Sequence, residues 1–367
     1  MDATRTNGSS ATGGRVAVVH DYLSQFGGAE RVALALADLF DAPIFTSLYQ
    51  PDLTFADFRE REVHTTYLQR VVPEGRFRLA GPLLGKAFER VDLSGFDQVV
   101  VSTSGFAHHV HHDNAFVYCH TPPRFIYDID TYFSSSRLIT ATKPFLPWLR
   151  RNDQRAAKRH EHYVANSRGT AARIQNIYGK SAPVIHPPLR TEHLPVELTG
   201  PTRQGALVIA RLQPYKRIDV AIAACAAVGI PLTIAGTGID EARLRSLAGP
   251  DVTFLGRVED ALLPELFRTH SVVLAPGIED FGLAPVEANY AGRPVLAVGA
   301  GGALETMVDG ESGKIVDGDD IGAWAQALGE ALNTRWDPEA LRARTIPFQM
   351  PAFRSRIEAW VAPAAPR

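Results

Sequence analysis

Cysteine is scarce in this chain. Cys119 and Cys225 are the only two and stand far apart, which excludes a disulfide framework and a zinc knuckle. Long apolar runs are missing as well: none reaches the ~18–20 residues that a membrane-spanning helix needs. An excess of one charge sign is absent too. The formal net charge is −2, which argues against a general nucleic-acid binder while leaving room for local basic patches. The segment 1–14 is rich in Ser, Thr, Gly and Ala and has no apolar core, so it is no signal peptide and reads as a disordered tail. Together these absences predict a cytoplasmic protein. The composition that remains is that of a soluble globular chain, 45% apolar and 21% charged, and 367 residues suit two domains better than one.

What is present is organised around the stretch 272–298, VVLAPGIEDFGLAPVEANYAGRPVLAV. Val272 to Ala275 is short, apolar and β-branched like a buried strand, and Pro276-Gly277 ends it. Gly282 opens a helix that tolerates Pro285 in its first turn and stops at Gly292, and Pro294 to Val298 forms the next strand. Unpaired backbone N–H groups at a helix start favour an anion such as a phosphate. Gly282 would let a ligand approach the backbone closely. Glu279 in the loop and Glu287 on the helix would repel a phosphate, so they suit neutral hydroxyls, in which sugars and riboses are rich. The alternative is a capped α/β unit with two surface glutamates.

The chain before this stretch has the same grain. Val16 to His20 is an apolar strand, and Gly27-Gly28 leads into a helix from about Ala29 to Phe40, either a phosphate-type turn or a plain connection. Ala42 to Tyr49, Gln98 to Ser102 and Ala115 to Cys119 read as further strands, with a last short one at Pro183 to Ile185. Alternating strands and helices imply parallel sheets covered by helices. His120 follows a strand directly, in Cys119-His120-Thr121-Pro122-Pro123-Arg124, where open α/β sheets bind ligands, or else it packs in a loop. His108-His109-Val110-His111-His112-Asp113 invites a metal reading, but adjacent histidines on an extended chain point opposite ways, and a polar loop is expected instead. Asp128-Ile129-Asp130 and Asp317-Gly318-Asp319 are set aside as coincidental metal-site look-alikes. Lys143 to His162 is dense in Lys, Arg and His, with Phe145, Leu146, Trp148 and Leu149 near its start: a solvated basic helix, or a surface for anionic membrane.

From about Leu189 to Gln204 the periodicity lapses, which marks a domain boundary, and then the strand–helix pattern restarts. Arg211 and Lys216 precede a helix start at the carboxyl end of a strand, where two cations suit a diphosphate. Gly236-Thr237-Gly238 is too short for a dinucleotide fingerprint.

The series Gly27-Gly28, His120-Thr121-Pro122, Arg211…Lys216, Gly236-x-Gly238 and Glu279-x7-Glu287 resembles the motif order of the family 4 glycosyltransferases, retaining enzymes of the GT-B fold. The resemblance covers nearly the whole chain from Arg15 onward. Through VVHDYLSQFGGAER, YCHTPPRFIYD, ARLQPYKRID and GGALETMVDGESG it is closest to bacterial mannosyltransferases that build lipid-linked polysaccharide or O-antigen units. Asp280 departs from it, since many relatives carry glycine there.

The resemblance implies an α/β fold of two Rossmann-like, doubly wound parallel-sheet domains facing a central cleft. Residues 15–195 would be the acceptor side, completed by a crossover helix within 350–367, and 196–349 would bind the nucleotide sugar. It implies transfer of a hexose, mannose from GDP-mannose, to a lipid-linked or other glycan acceptor with retention of configuration. The alternatives are a UDP-sugar-dependent enzyme with a soluble acceptor, or a non-catalytic nucleotide-sugar binder. By motif, Arg211 and Lys216 would hold the diphosphate, Glu279 the sugar hydroxyls and Glu287 the ribose, with His120 beside the sugar. Gly27 and Gly28 would close over the phosphate, and Gly236, Gly238, Val258, Phe281, Gly282 and Leu283 would line the donor. No cofactor and no essential metal are implied. The partners would be a nucleotide-diphosphate sugar, a glycan or polyprenyl-diphosphate-linked acceptor and, peripherally, the anionic inner face of the plasma membrane, with no nucleic acid. Finally, Phe353, Ile357 and Trp360 recur at helical spacing and are expected to touch residues before Leu189.

Overall fold

A computed structural model of the protein describes residues 14–73, 81–129, 143–192, 194 and 204–362. Most of the expected tail, Asp130, and most of the stretch where the periodicity lapses lie outside the described residues. Contacts divide the chain into two compact units. One runs up to Ile185 and takes up the chain again at Arg354; the other is His186–Phe353.

The first unit is built on β1 (Val16–His20), β2 (Ile44–Thr46), β3 (Val63–Thr65), β4 (Gln98–Thr103), β5 (Ala115–Cys119) and β6 (His162–Ala165). They pair in parallel in the order β3-β2-β1-β4-β5-β6. Every residue of β1, β4 and β5 is buried, as expected of parallel strands covered on both faces. β3 was not anticipated: a single apolar residue on a largely exposed edge strand leaves no hydrophobic pattern to read. Pro183 to Ile185, expected as a strand, makes only one bridge, Val184 with Ala165, and Pro187-Pro188 beyond it have no N–H to continue the ladder.

The second unit repeats the plan with β7 (Ala206–Ile209), β8 (Leu232–Ala235), β9 (Val252–Gly256), β10 (Val272–Ala275), β11 (Val295–Val298) and β12 (Gly313–Val316). The order is β12-β11-β10-β7-β8-β9. Counted from its own first strand, each sheet therefore runs 3-2-1-4-5-6. Each has its switch point where the first strand meets the fourth, at β1 beside β4 and at β7 beside β10, and ligands of doubly wound sheets bind beyond the carboxyl ends there. The core of this unit is anchored by Trp324, fully buried on the helix Ile321–Asn333, which Asp320 caps by accepting from Ala323 N at 2.8 Å.

The last helix, Met350–Val361, begins in the second unit and ends in the first. Phe353 belongs to the second unit, and Ile357 and Trp360 to the first. Trp360 stands edge-on to Phe116 of β5 at 5.3 Å, and Gln98 Nε2 donates to the carbonyl of Val361 at 3.0 Å. At Trp360 the expected contact with the first unit's sheet is present.

Candidate functional site

In the first unit, polar residues collect where β1, β4 and β5 end. An apolar strand that finishes on His20 and Asp21 places two polar side chains at the switch point. The Asp21 carboxylate accepts from Thr103 Oγ1 at 3.1 Å and from the N–H groups of Phe106 and Ala107 at 2.8 and 2.7 Å, so it grips the loop after β4. His20 Nδ1 lies 3.2 Å from the carbonyl oxygen of Ser102 and 3.0 Å from its Oγ. A carbonyl oxygen only accepts, so this nitrogen carries the proton. Ser102 Oγ then accepts from His20 and gives its own proton to His120 Nε2, at 2.8 Å. That leaves His120 with its N–H at Nδ1. Burial, and secondarily the neighbouring His20, push His120 down to about 3, so it is neutral near pH 7. Its ring is a hydrogen-bond donor with a defined tautomer rather than a cation.

Gly27, with Gly28 at the helix start, sits over the same network. A Cβ on Gly27 would run into Glu30, whose buried carboxylate accepts from Gln25 Nε2 at 2.8 Å and lies 3.8 Å from His20 Nε2. The glycine thus admits a buried acid from the first turn of the helix Gly28–Phe40. His20, Asp21, Glu30 and Ser102 escaped the sequence reading. For His20, Asp21 and Ser102 the signal was present, polar residues at the ends of strands that are otherwise apolar; for Glu30 it was an acid in the first turn of an apolar helix.

In the second unit the candidates lie on the loops after β7 and β10. Lys216 Nζ and Glu279 form an ion pair. A Cβ on Gly277 would stand 2.5 Å from the Cα of Lys216, so only glycine lets these two loops touch. Arg211 is exposed on the same loop as Lys216, and its guanidinium donates to Tyr215 OH at 3.3 Å. Gly282 caps the helix Leu283–Tyr290 with a left-handed φ of 82°, and Glu287 is half-buried on that helix. Arg217, not singled out in the sequence, is a left-handed residue at φ 49° that caps the helix Ile218–Val228 and pairs with Asp219 and Asp319.

The packing around several candidates is structural, and one expectation changes. The ring of Phe281 is 4% exposed and packs on His186 and Phe348, at 5.1 and 5.6 Å between centroids, so the side chain serves the core. Val258 and Leu283 are half-buried against the same core. Gly236 and Gly238 pack backbone on backbone: a Cβ at either would strike the carbonyl of Ala210 or Leu212, which explains the Gly-x-Gly pattern without a ligand. Lastly, His108 and His109 do not lie in a polar extended loop. They are buried on a 3-10 turn, Ala107–His109, with their rings stacked at 5.1 Å.

Two six-stranded parallel sheets of this order, with candidate residues near the strand ends, make an α/β chain of two doubly wound units, the fold class of GT-B enzymes. Residues 170–346, which hold every candidate of the second unit, match the family described as glycosyl transferases group 1. Among curated proteins the chain is similar to the D-inositol 3-phosphate glycosyltransferase of Mycolicibacterium smegmatis, at 36% identity over 38% of this chain and 35% of that protein. It is similar also to the alpha-1,3/1,6-mannosyltransferase alg-2 of Neurospora crassa, at 40% identity over 25% of this chain and 20% of that one. These matches thus span about a third or less of the relatives' own lengths. Among solved structures, Anabaena HepE in complex with UDP and glucose superposes with a TM-score of 0.70 at 17% identity, covering 94% of this chain and 98% of that one. Sucrose-phosphate synthase from Thermosynechococcus elongatus gives 0.66 at 16% identity, covering 95% of each chain.

Proposed function

We propose that the protein is a retaining glycosyltransferase that moves mannose from GDP-mannose to a lipid-linked glycan acceptor in cell-surface polysaccharide synthesis. The observation that carries this reading is the Lys216–Glu279 pair on the loops after β7 and β10, beside Arg211 and the helix start at Gly282. A donor diphosphate would draw Lys216 and Arg211 onto its oxygens. Glu279, released from Lys216, would then accept from sugar hydroxyls, while Glu287 accepts from the ribose. As the sugar–phosphate bond breaks, the two cations and the helix start stabilise the leaving diphosphate in place of a divalent ion, so activity should persist in EDTA. The acceptor hydroxyl attacks the face from which the diphosphate leaves. Neutral His120, with its proton at Nδ1, is the donor suited to a sugar hydroxyl. The presence of His120, Arg211, Lys216 and Glu279 together argues against a non-catalytic nucleotide-sugar binder.

A thermal-shift screen of GDP, UDP and their sugars tests the donor, since a ligand at 100 times its Kd adds about 2.7 kcal/mol to the folded state. GDP-mannose should give the largest shift, and NMR of the product should show the donor's anomeric configuration. A larger shift with a UDP-sugar would favour the second reading, a UDP-sugar enzyme with a soluble acceptor. The small phosphorylated acceptor in the name of a similar protein, a D-inositol 3-phosphate glycosyltransferase, supports the acceptor half of that reading.

The membrane contact is part of the same proposal. Among the described residues no helix is long and apolar enough to cross a membrane. On the helix Leu146–Arg159, however, Arg150, Arg151, Arg155 and Lys158 are exposed next to Phe145 and Trp148, which are 64% and 47% exposed. Cations for anionic headgroups beside aromatic rings for the interface suit peripheral docking at the cytoplasmic face. Liposomes with anionic lipid should bind the protein in a salt-sensitive way, and neutralising Arg150, Arg151 and Lys158 together should weaken it. Equal binding to neutral vesicles would refute this part.

A further inference from the structure

We propose that His108, His109 and Asp153 of the first unit bind one transition-metal ion, with Zn2+ as the ion best matched to the donors. The two histidines share the turn Ala107–His109 after β4, and Asp153 comes from the helix Leu146–Arg159. One ligand atom from each lies within 4.8 Å of the others. All three residues are buried, at 1%, 4% and 1% exposure. Among the described residues, His108 Nε2, His109 Nε2 and Asp153 Oδ1 are all buried without a hydrogen-bond partner, and three such atoms together call for an occupant. The 3.1 Å between His108 Nε2 and Asp153 Oδ1 is close without the alignment of a hydrogen bond.

The surroundings orient these atoms inward. Tyr127 OH donates to the other carboxylate oxygen of Asp153, Oδ2, at 2.7 Å, which leaves Oδ1 for the ion. His109 Nδ1 lies 3.9 Å from the Glu89 carboxylate, longer than a hydrogen bond but on the side from which a carboxylate can support a metal-bound imidazole. Gly85 makes room, since a Cβ there would stand 2.8 Å from His109 Nδ1. Arg159, the nearby cation, is 3.3 Å from Glu89 and donates to the backbone carbonyl of His109, so its charge is already offset. His160 is also turned aside, its Nε2 bonded to the carbonyl of His108 at 2.8 Å.

Two imidazoles and one carboxylate suit zinc, whereas magnesium and calcium prefer all-oxygen sets. Zinc bonds of about 2.0–2.2 Å place tetrahedral ligand atoms roughly 3.3 Å apart, so the His108–Asp153 edge fits and the widest edge must contract. A bound ion would pin the turn after β4 to the basic helix. The candidate donor residues take no part.

The test uses untagged full-length protein. Elemental analysis should find about one zinc per chain. After unfolding in chelator and refolding, Zn2+ should raise Tm by about 5 °C or more, and Co2+ should give visible bands of tetrahedral coordination. His109→Gln and Asp153→Asn should lose the ion and the shift, while His111→Gln keeps both. If a variant fails to fold, the wild-type metal content and cobalt spectrum decide alone. Metal-free protein whose Tm ignores Zn2+ and Co2+ would overturn the proposal and assign the space to water.

Discussion

The two units share one strand order and use it in opposite ways. At the first unit's switch point the polar groups are buried and hydrogen-bonded: His20, Ser102 and His120 form a chain of hydrogen bonds that ends in a histidine held down to about 3. At the second, the groups are ionic and partly exposed, with Lys216 at 12% and Glu279 at 33%. The contrast follows from what each place can tolerate. A buried charge without a fixed partner is too costly, so the first unit keeps its histidine neutral and holds its tautomer by hydrogen bonds. A partly exposed ion pair is cheaper to exchange, so under the proposed function the second unit would swap its internal partner for a ligand's charge.

The largest expected effect would break this comparison on the ionic side. Under the proposed function, Lys216→Ala or Arg211→Ala should lower kcat/KM by ~100-fold or more, because each would remove charge stabilisation from the leaving diphosphate. Steady-state kinetics with GDP-mannose check it, and near-normal turnover in both would remove these loops from the chemistry.

The next tests the neutral side through acid. His120 titrates near 6.5 when unfolded and near 3 when folded, so above pH 6.5 it costs nothing. Below that the unfolded chain takes up a proton that the native state refuses, and stability falls with pH until the folded value is reached. At pH 5 the loss should be roughly 2 kcal/mol from this histidine. Urea unfolding at pH 7.5 and pH 5 measures it, and His120→Gln should shrink the difference by about that amount, the lowered His109 and His160 keeping their own shares.

A smaller effect sharpens the role of the hydrogen-bond chain. Ser102→Ala should reduce kcat by about tenfold with little change in KM for the donor, since it frees the tautomer of His120 without touching the ionic loops. A change in KM alone would mean that Ser102 serves only to pack. The smallest effect concerns the end of the chain. Trp360→Ala removes the edge-on contact with Phe116 and should cost about 1 kcal/mol, read as a shift in the urea midpoint.

Much of the fold was legible because its signal is local. Runs such as VAVVH, VVLA and VLAV can satisfy their backbones and bury both faces only in a covered parallel sheet, and the glycines and prolines between them punctuate strand from helix. The sequence by itself therefore determined two halves of parallel sheet covered by helices and placed His120 and Arg211 just after strands, with Lys216 and Glu279 in the loops beyond them. Only the tertiary structure decided which side chains meet. Lys216 reaches Glu279 because β7 lies beside β10 and Gly277 clears the way. Ser102 links two histidines because β1, β4 and β5 are neighbours in the sheet. His108 and His109 stack because a buried 3-10 turn replaces the expected polar loop, and Phe281 turns to the core because aromatic partners distant in sequence are waiting there. Periodicity reports the environment of a backbone segment, whereas partner choice depends on packing between segments far apart along the chain.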